Sequence, residues 1–177
     1  IEVTGDFSSY VDDPYQQAPE REPVFDHVDV AIIGGGFGGL LMGGRLSEAG
    51  FNDVRVIEKG GDFGGTWYWN RYPGARCDIE SMEYSYQFDE DLQQDWEWTE
   101  RYAPQPEILA YINHVADRLD LKRDIQFETS VERAVLDEES GRWLVDTSAG
   151  DLLSSQFCIM AAGCLSSMNT PDVPGLD

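Results

Sequence analysis

The chain has 177 residues, 41% of them hydrophobic, and its 34 acidic against 12 basic side chains give a formal net charge of −22. That length suits one domain with its own hydrophobic core and is too short for two complete nucleotide-binding domains. The charge repels phosphate backbones and argues against a nucleic-acid partner, and no apolar run approaches the roughly 20 residues of a membrane span.

Residues 1–26 carry acids, Pro14, Pro19 and Pro23 and no sustained apolar period. They read as an extended arm that packs on the surface or on another part of the protein, without the basic and apolar pattern of an export signal. Residues 27–177 are expected to be α/β. His27 to Ile33 is a short β-branched run ending in a glycine-rich turn, as in a buried parallel strand. Leu40 to Ala49 reads as a helix whose Leu40, Leu41 and Leu46 share a buried face, with Gly50 as its stop. Val54 to Glu58 is the second strand. Residues 60–98, rich in Gly, Trp, Tyr and acids, read as loop with short helical turns. After Pro104 and Pro106, the positions Ile108, Leu109, Ile112, Val115, Ala116 and Leu119 line one face of a packing helix. Ile125 to Leu136, Arg142 to Thr147 and the region around Leu152 suggest a small antiparallel meander, and Phe157 to Ala161 resumes the buried-strand pattern. Cys77, Cys158 and Cys164 show neither paired-ligand nor disulfide spacing, which points to a reducing, cytoplasmic setting and away from metal chemistry.

Gly34, Gly36 and Gly39, with Phe37 and Gly38 among them, fit GxGxxG between a strand and a helix. Backbone amides and a helix N-terminus placed there can receive a pyrophosphate. Gly34 permits the tight turn, Gly36 leaves room for phosphate, and Gly39 lets helix and strand pack closely. Glu58, followed by Lys59, closes the next strand at about the 20-residue separation of an acid that hydrogen-bonds ribose hydroxyls. A carboxylate there disfavours a 2′-phosphate, so this first site is expected to take FAD or NAD rather than NADP.

After Glu58 comes GGDFGGTWYWNRYPGARCDIESMEYSY, and further on WTERYAPQPEILAYINHVADRLDL. These segments resemble the Baeyer-Villiger monooxygenases, especially the phenylacetone and steroid monooxygenase branch, and the likeness runs from about Val28 to Asp177. The resemblance implies a Rossmann-like FAD-binding domain of the type found in flavoproteins with two dinucleotide-binding domains. It also implies the chemistry: NADPH reduces FAD, dioxygen is captured as a flavin peroxide, and an oxygen atom is inserted beside a ketone carbonyl to give an ester or lactone. Cofactor contacts are implied at Gly65, Thr66, Trp67, Asp78 and Tyr84, at Val131 towards the adenine end, and at Ala162 and Gly163. Physically, Trp67, Tyr68, Trp69 and Tyr72 can cover an isoalloxazine and exclude water, although core packing accounts equally for Tyr68 and Trp69.

The family implies that Asp78, the candidate catalytic residue, pairs with an arginine from a later segment. Cys164 and Leu165 fall at the substrate pocket. Cys164 departs from the polar amide usual in phenylacetone-type enzymes, so a roomier, more apolar pocket for bulkier ketones is expected, beside the plainer reading of a buried small hydrophobe. A second glycine-rich NADPH turn, the FxGxxxHxxxW signature and a candidate catalytic arginine are absent from these 177 residues. The chain is therefore expected to be the leading part of a larger enzyme, inactive alone, with NADPH held mainly by the remainder. Two other readings compete: an N- or S-oxygenating flavin monooxygenase, against which RYPGARCDIES is taken to speak, and an isolated flavin-binding module.

Overall fold

The computed structural model describes residues 13–165 and 173–174. Residues 1–12 of the expected arm lie outside that range. The described strands form one sheet in the order β3-β2-β1-β6-β5-β4. Its centre is β1 (Phe25–Ile33), flanked in parallel by β2 (Val54–Ile57) and by β6 (Leu152–Met160). Val28, Val30 and Ile32 alternate onto one face of β1 and are buried almost completely, while the other face buries Ala31 and leaves Asp29 exposed.

The helix α1 (Phe37–Glu48) begins at Phe37 rather than at the expected Leu40. Gly38 and Gly39, weak helix formers, are helical here because close packing overrides propensity: a Cβ on Gly39 would lie 1.9 Å from the Gly34 carbonyl oxygen. Leu40, Leu41 and Leu46 do not share one buried face. Leu40 and Leu41 pack on the loop side with α4 (Gln105–Arg118), and Leu46 packs with Val30, Ile32, Val54 and Val56. The helix is wedged between sheet and α4, so apolar positions on two of its sides find partners.

The long connection from β2 to α4 carries two short helices, α2 (Thr66–Trp69) and α3 (Glu90–Asp95), the latter capped by the Asp89 carboxylate accepting from the Leu92 amide at 3.0 Å. Phe63, Trp67, Tyr86 and Leu92 from this connection pack on the buried face of α4, formed by Ile108, Tyr111, Ile112, Val115 and Ala116. A stretch without long periodicity thus builds the larger of the hydrophobic clusters.

Two expectations for the second half need correction. The strand β3 (Ile125–Gln126) belongs to the parallel side of the sheet, pairing with Val56 and Ile57 of β2, and is not part of a meander. The meander consists of β4 (Val131–Asp137), β5 (Arg142–Thr147) and β6, so the region around Leu152 and the run from Phe157 form one nine-residue strand. That strand turns antiparallel pairing into parallel pairing by sharing one edge with β5 and the other with β1. The second correction concerns burial, because Phe157 is 53% and Met160 67% exposed. Their apolar character comes from strand chemistry, and no described segment covers them.

Ahead of β1, residues 13–24 are irregular and lie against the molecule. Arg21 makes a twofold contact with Asp151, through Nη1 at 2.7 Å and Nη2 at 2.6 Å, and the same carboxylate accepts from the Val24 amide at 2.8 Å and the Thr147 hydroxyl at 2.7 Å. The Asp151 carboxyl is held well below the usual range, chiefly by the Arg21 hydrogen bond, against the opposing effect of burial.

Candidate functional site

At the carboxyl end of β1 the chain turns at Gly34, whose φ of +109° is left-handed backbone that favours glycine. Its amide donates to the Ile57 carbonyl at 2.9 Å, and a Cβ there would lie 2.4 Å from the Ala161 carbonyl oxygen. The loop is therefore pressed between the ends of β2 and β6, the carboxyl edge where ligands of open parallel sheets bind. Gly36 precedes α1 directly, and its neighbour across the gap is Gly65, 3.4 Å from where a Gly36 Cβ would be. The Gly64 amide donates to the Gly35 carbonyl at 3.1 Å and a Cβ on Gly65 would lie 3.0 Å from the Gly36 Cα, so the glycine loop and the Gly64–Gly65 turn are in direct backbone contact.

Glu58 follows β2 and is 5% exposed. Its Oε2 accepts the Gly35 amide at 2.5 Å and its Oε1 accepts the Gly60 amide at 2.6 Å. Burial pushes its pKa up, and those two amides together with Lys59 act in the opposite sense. A carboxylate offers about four lone-pair positions, so these two donors do not exhaust its capacity. Lys59 is exposed, with its Nζ 5.6 Å from the centre of the Trp69 ring.

Beyond Glu58 the residues expected to meet a flavin fall into one neighbourhood. Gly65 opposes the glycine loop, Thr66 opens α2 exposed, and Trp67, 8% exposed, donates through Nε1 to the Tyr84 hydroxyl at 3.0 Å. Burial pushes the Tyr84 phenol up; the Trp67 hydrogen bond opposes this, and the charges of Cys77, Asp78 and Cys164 add to it. Asp78 and Cys164, far apart in the chain, thus both bear on the Tyr84 phenol. Asp78 is exposed beside buried Cys77. Ala162, Gly163, Cys164 and Leu165 continue β6 and are exposed, so the buried-cysteine reading of Cys164 does not hold among the described residues. Val131 opens β4 and packs on the cluster containing Ile57, one residue before Glu58. Of the bulky aromatics assigned equally to core packing, Tyr68 is buried and Trp69 half-buried.

Residues that sequence reasoning passed over also belong here. Gly35 and Gly60 hold the Glu58 carboxylate, and Asp13 binds the adjacent turn. Gly35 sits in the visible glycine run without occupying a motif position. Asp13 caps its own local turn through the Tyr15 and Gln16 amides, but nothing local signals its link to this site, since those partners, Gly61 and Tyr68, are 48 and 55 residues away.

A parallel sheet, a glycine turn leading into a helix and an acid at the end of the neighbouring strand define a dinucleotide-binding fold of the Rossmann type. The family model for pyridine nucleotide-disulphide oxidoreductases matches residues 31–177, and the chain belongs to that family. It is 46% identical over 173 residues to a Baeyer-Villiger monooxygenase of Streptomyces coelicolor (strain ATCC BAA-471 / A3(2) / M145), a match covering 97% of this chain and 28% of the relative. It is 44% identical over 152 residues to the phenazine N-monooxygenase PhzNO1 of Lysobacter antibioticus, covering 85% of this chain and 28% of the relative. Among solved structures, an oxidised steroid monooxygenase bound to NADP aligns with a TM-score of 0.79 at 55% identity, covering 85% of this chain and 29% of the other. The chain thus spans less than a third of the length of these relatives and is homologous to one part of them. The likeness thus extends to a relative named as an N-monooxygenase as well as to Baeyer-Villiger monooxygenases.

Proposed function

We propose that this chain is the FAD-holding part of a Baeyer-Villiger monooxygenase, which uses NADPH and dioxygen to insert one oxygen atom beside a ketone carbonyl. The observation that carries the reading is the Glu58 carboxylate, held between the Gly35 and Gly60 amides at the lip of the glycine loop with acceptor capacity to spare. Ribose hydroxyls are donors that fit it, and amides of residues 36–39 at the start of α1 fit a pyrophosphate. In this reading Gly34, Gly36, Phe37, Gly38, Gly39, Glu58 and Lys59 hold the dinucleotide, with Val131 at its adenine end. Gly65, Thr66, Trp67, Asp78, Tyr84, Ala162 and Gly163 meet the flavin. Bound FAD would supply the redox chemistry, accepting a hydride from NADPH and activating dioxygen. Trp67 and Tyr84, locked to each other, would exclude water from one side. Asp78 would hold the charge of an arginine supplied by the rest of the enzyme, which would also supply most of the NADPH site.

The test is turnover of the full-length protein with FAD, NADPH and labelled dioxygen on ketones. An ester or lactone carrying one labelled oxygen is expected. NADPH-dependent N-oxide formation with no ester from any ketone would favour the second reading, for which the likeness to phenazine N-monooxygenase is the specific support. Within the first reading, Asp78→Ala should depress oxygenation far more than FAD binding, and equal loss of both would make Asp78 structural. Cys164→Gln should narrow the ketone range; an unchanged profile would remove Cys164 and Leu165 from the substrate pocket.

A further inference from the structure

The amide of Gly60 is one of the two that hold the Glu58 carboxylate, and the turn it belongs to is gripped from the N-terminal arm. Asp13 Oδ2 accepts the Gly61 amide at 2.8 Å and the Tyr68 hydroxyl at 2.6 Å. The Tyr68 ring in turn presses on the turn, since a Cβ on Gly60 would lie 2.9 Å from it and 3.2 Å from Glu58 Oε1. The arm is itself fastened: Asp13 Oδ1 accepts the Tyr15 amide at 2.8 Å, the Tyr15 hydroxyl donates to the Trp69 carbonyl at 3.1 Å, and the Arg71 guanidinium lies 3.8 Å from the centre of the Tyr15 ring.

We propose that Asp13 is a positioning residue for the Glu58 carboxylate and, through it, for the first amides of the glycine loop. The path is short: Asp13 accepts from Gly61 and Tyr68, Gly61 is joined by its peptide bond to Gly60, the Gly60 amide donates to Glu58 Oε1, and the Gly35 amide donates to Glu58 Oε2. Charge attraction to the site is not what brings this acid here. The turn already lies beside Glu58 and Glu128, and burial, with Asp13 as a further contributor, pushes both of those carboxyls up. Burial works against Asp13 as well, and the donors that outweigh it are the Tyr68 hydroxyl and the Tyr15, Gly61 and Gln16 amides, which together hold its pKa down. An acid set among like charges and kept by four donors serves to fix the positions of those donors. The consequence for flavin binding rests on the reading proposed above; the effect on the loop does not.

Amide hydrogen exchange on the flavin-free full-length protein, paired with FAD titration, separates the two. In Asp13→Ala, exchange at Gly35, Gly60 and Gly61 should accelerate by about tenfold or more and the Kd for FAD should rise about tenfold, with amides of β4 and β5 unchanged. Asp13→Asn keeps one side-chain oxygen and should fall nearer to wild type in both readouts. Should Asp13→Ala not fold, Tyr68→Phe, which deletes one hydroxyl, should accelerate the same amides by a smaller factor. Faster exchange at Gly61 alone, with Gly35 and Gly60 as in wild type, overturns the proposal. So does uniform acceleration across the sheet with an unchanged Kd. A wild-type protein that shows the expected exchange pattern but takes up no FAD would sink the flavin reading and leave the positioning role standing.

Discussion

Glu58 is held by two donors, one on each carboxylate oxygen, and this sets what a substitution does. Glu58→Gln presents a single oxygen and an NH2 group, so one of the Gly35 and Gly60 amides must face another donor. The expected result is a Kd for FAD raised more than about tenfold in the full-length protein, measured by flavin fluorescence, because a displaced carboxylate and an orphaned buried amide act together. The glycines of the loop are not equivalent either. Gly39→Ala drives a Cβ into the Gly34 carbonyl and should cost about 3 kcal/mol in unfolding free energy by denaturant titration. Gly38→Ala, exposed and helical, meets only the Ala161 Cβ at 3.6 Å and should stabilise by roughly 0.5–1 kcal/mol, because alanine loses less backbone freedom in a helix. If both changes destabilise equally, the close approach of strand and helix is not what selects Gly39.

At the level of elements, the arm is stapled to the sheet by Arg21 and Asp151, whose side chains are 27% and 0% exposed. Arg21→Ala leaves a buried carboxylate with its neutral donors only and should cost about 3 kcal/mol, the lower end of the range for breaking a buried pair, since Arg21 retains some contact with water. The sign of the pH dependence follows from the depressed folded pKa of Asp151. Its contribution is fully present above the unfolded value near 3.9 and is lost as pH falls from there towards the folded value, because the unfolded state then binds more protons. The stability gap between wild type and Arg21→Ala should therefore be widest at neutral pH and narrow steadily below about pH 4, as read from unfolding curves between about pH 7 and 2. A gap independent of pH would show that Arg21 acts by packing alone.

For the whole molecule, a net charge of −22 makes self-repulsion a standing cost to the folded state. Raising sodium chloride from about 0.01 M to 0.5 M shortens the Debye length from roughly 30 Å to below 5 Å and should raise the melting temperature by several degrees. An unchanged or lower value would mean that attractive pairs such as Arg55–Asp26 and Lys122–Asp117 outweigh the repulsion. The exposed apolar residues Phe157 and Met160 of β6 bear on solubility in the other direction, since uncovered strand surface invites association.

The sequence alone was enough to read the strand, glycine turn, helix, strand and acid from His27 to Glu58, because each of those signals is local: β-branched runs make strands, and only glycine tolerates the φ at Gly34. It also carried the family resemblance, through a long motif that composition would never have singled out. Tertiary structure decided what depends on partners far apart in the chain. Whether Ile125 pairs parallel or antiparallel is set by which strand it meets, not by its own preference. Whether Leu46 faces the sheet or α4 is set by where α1 is wedged. That Asp13, Gly61 and Tyr68 converge beside Glu58 is likewise a matter of long-range contact, for hydrogen bonds spanning dozens of residues leave no period or spacing to read.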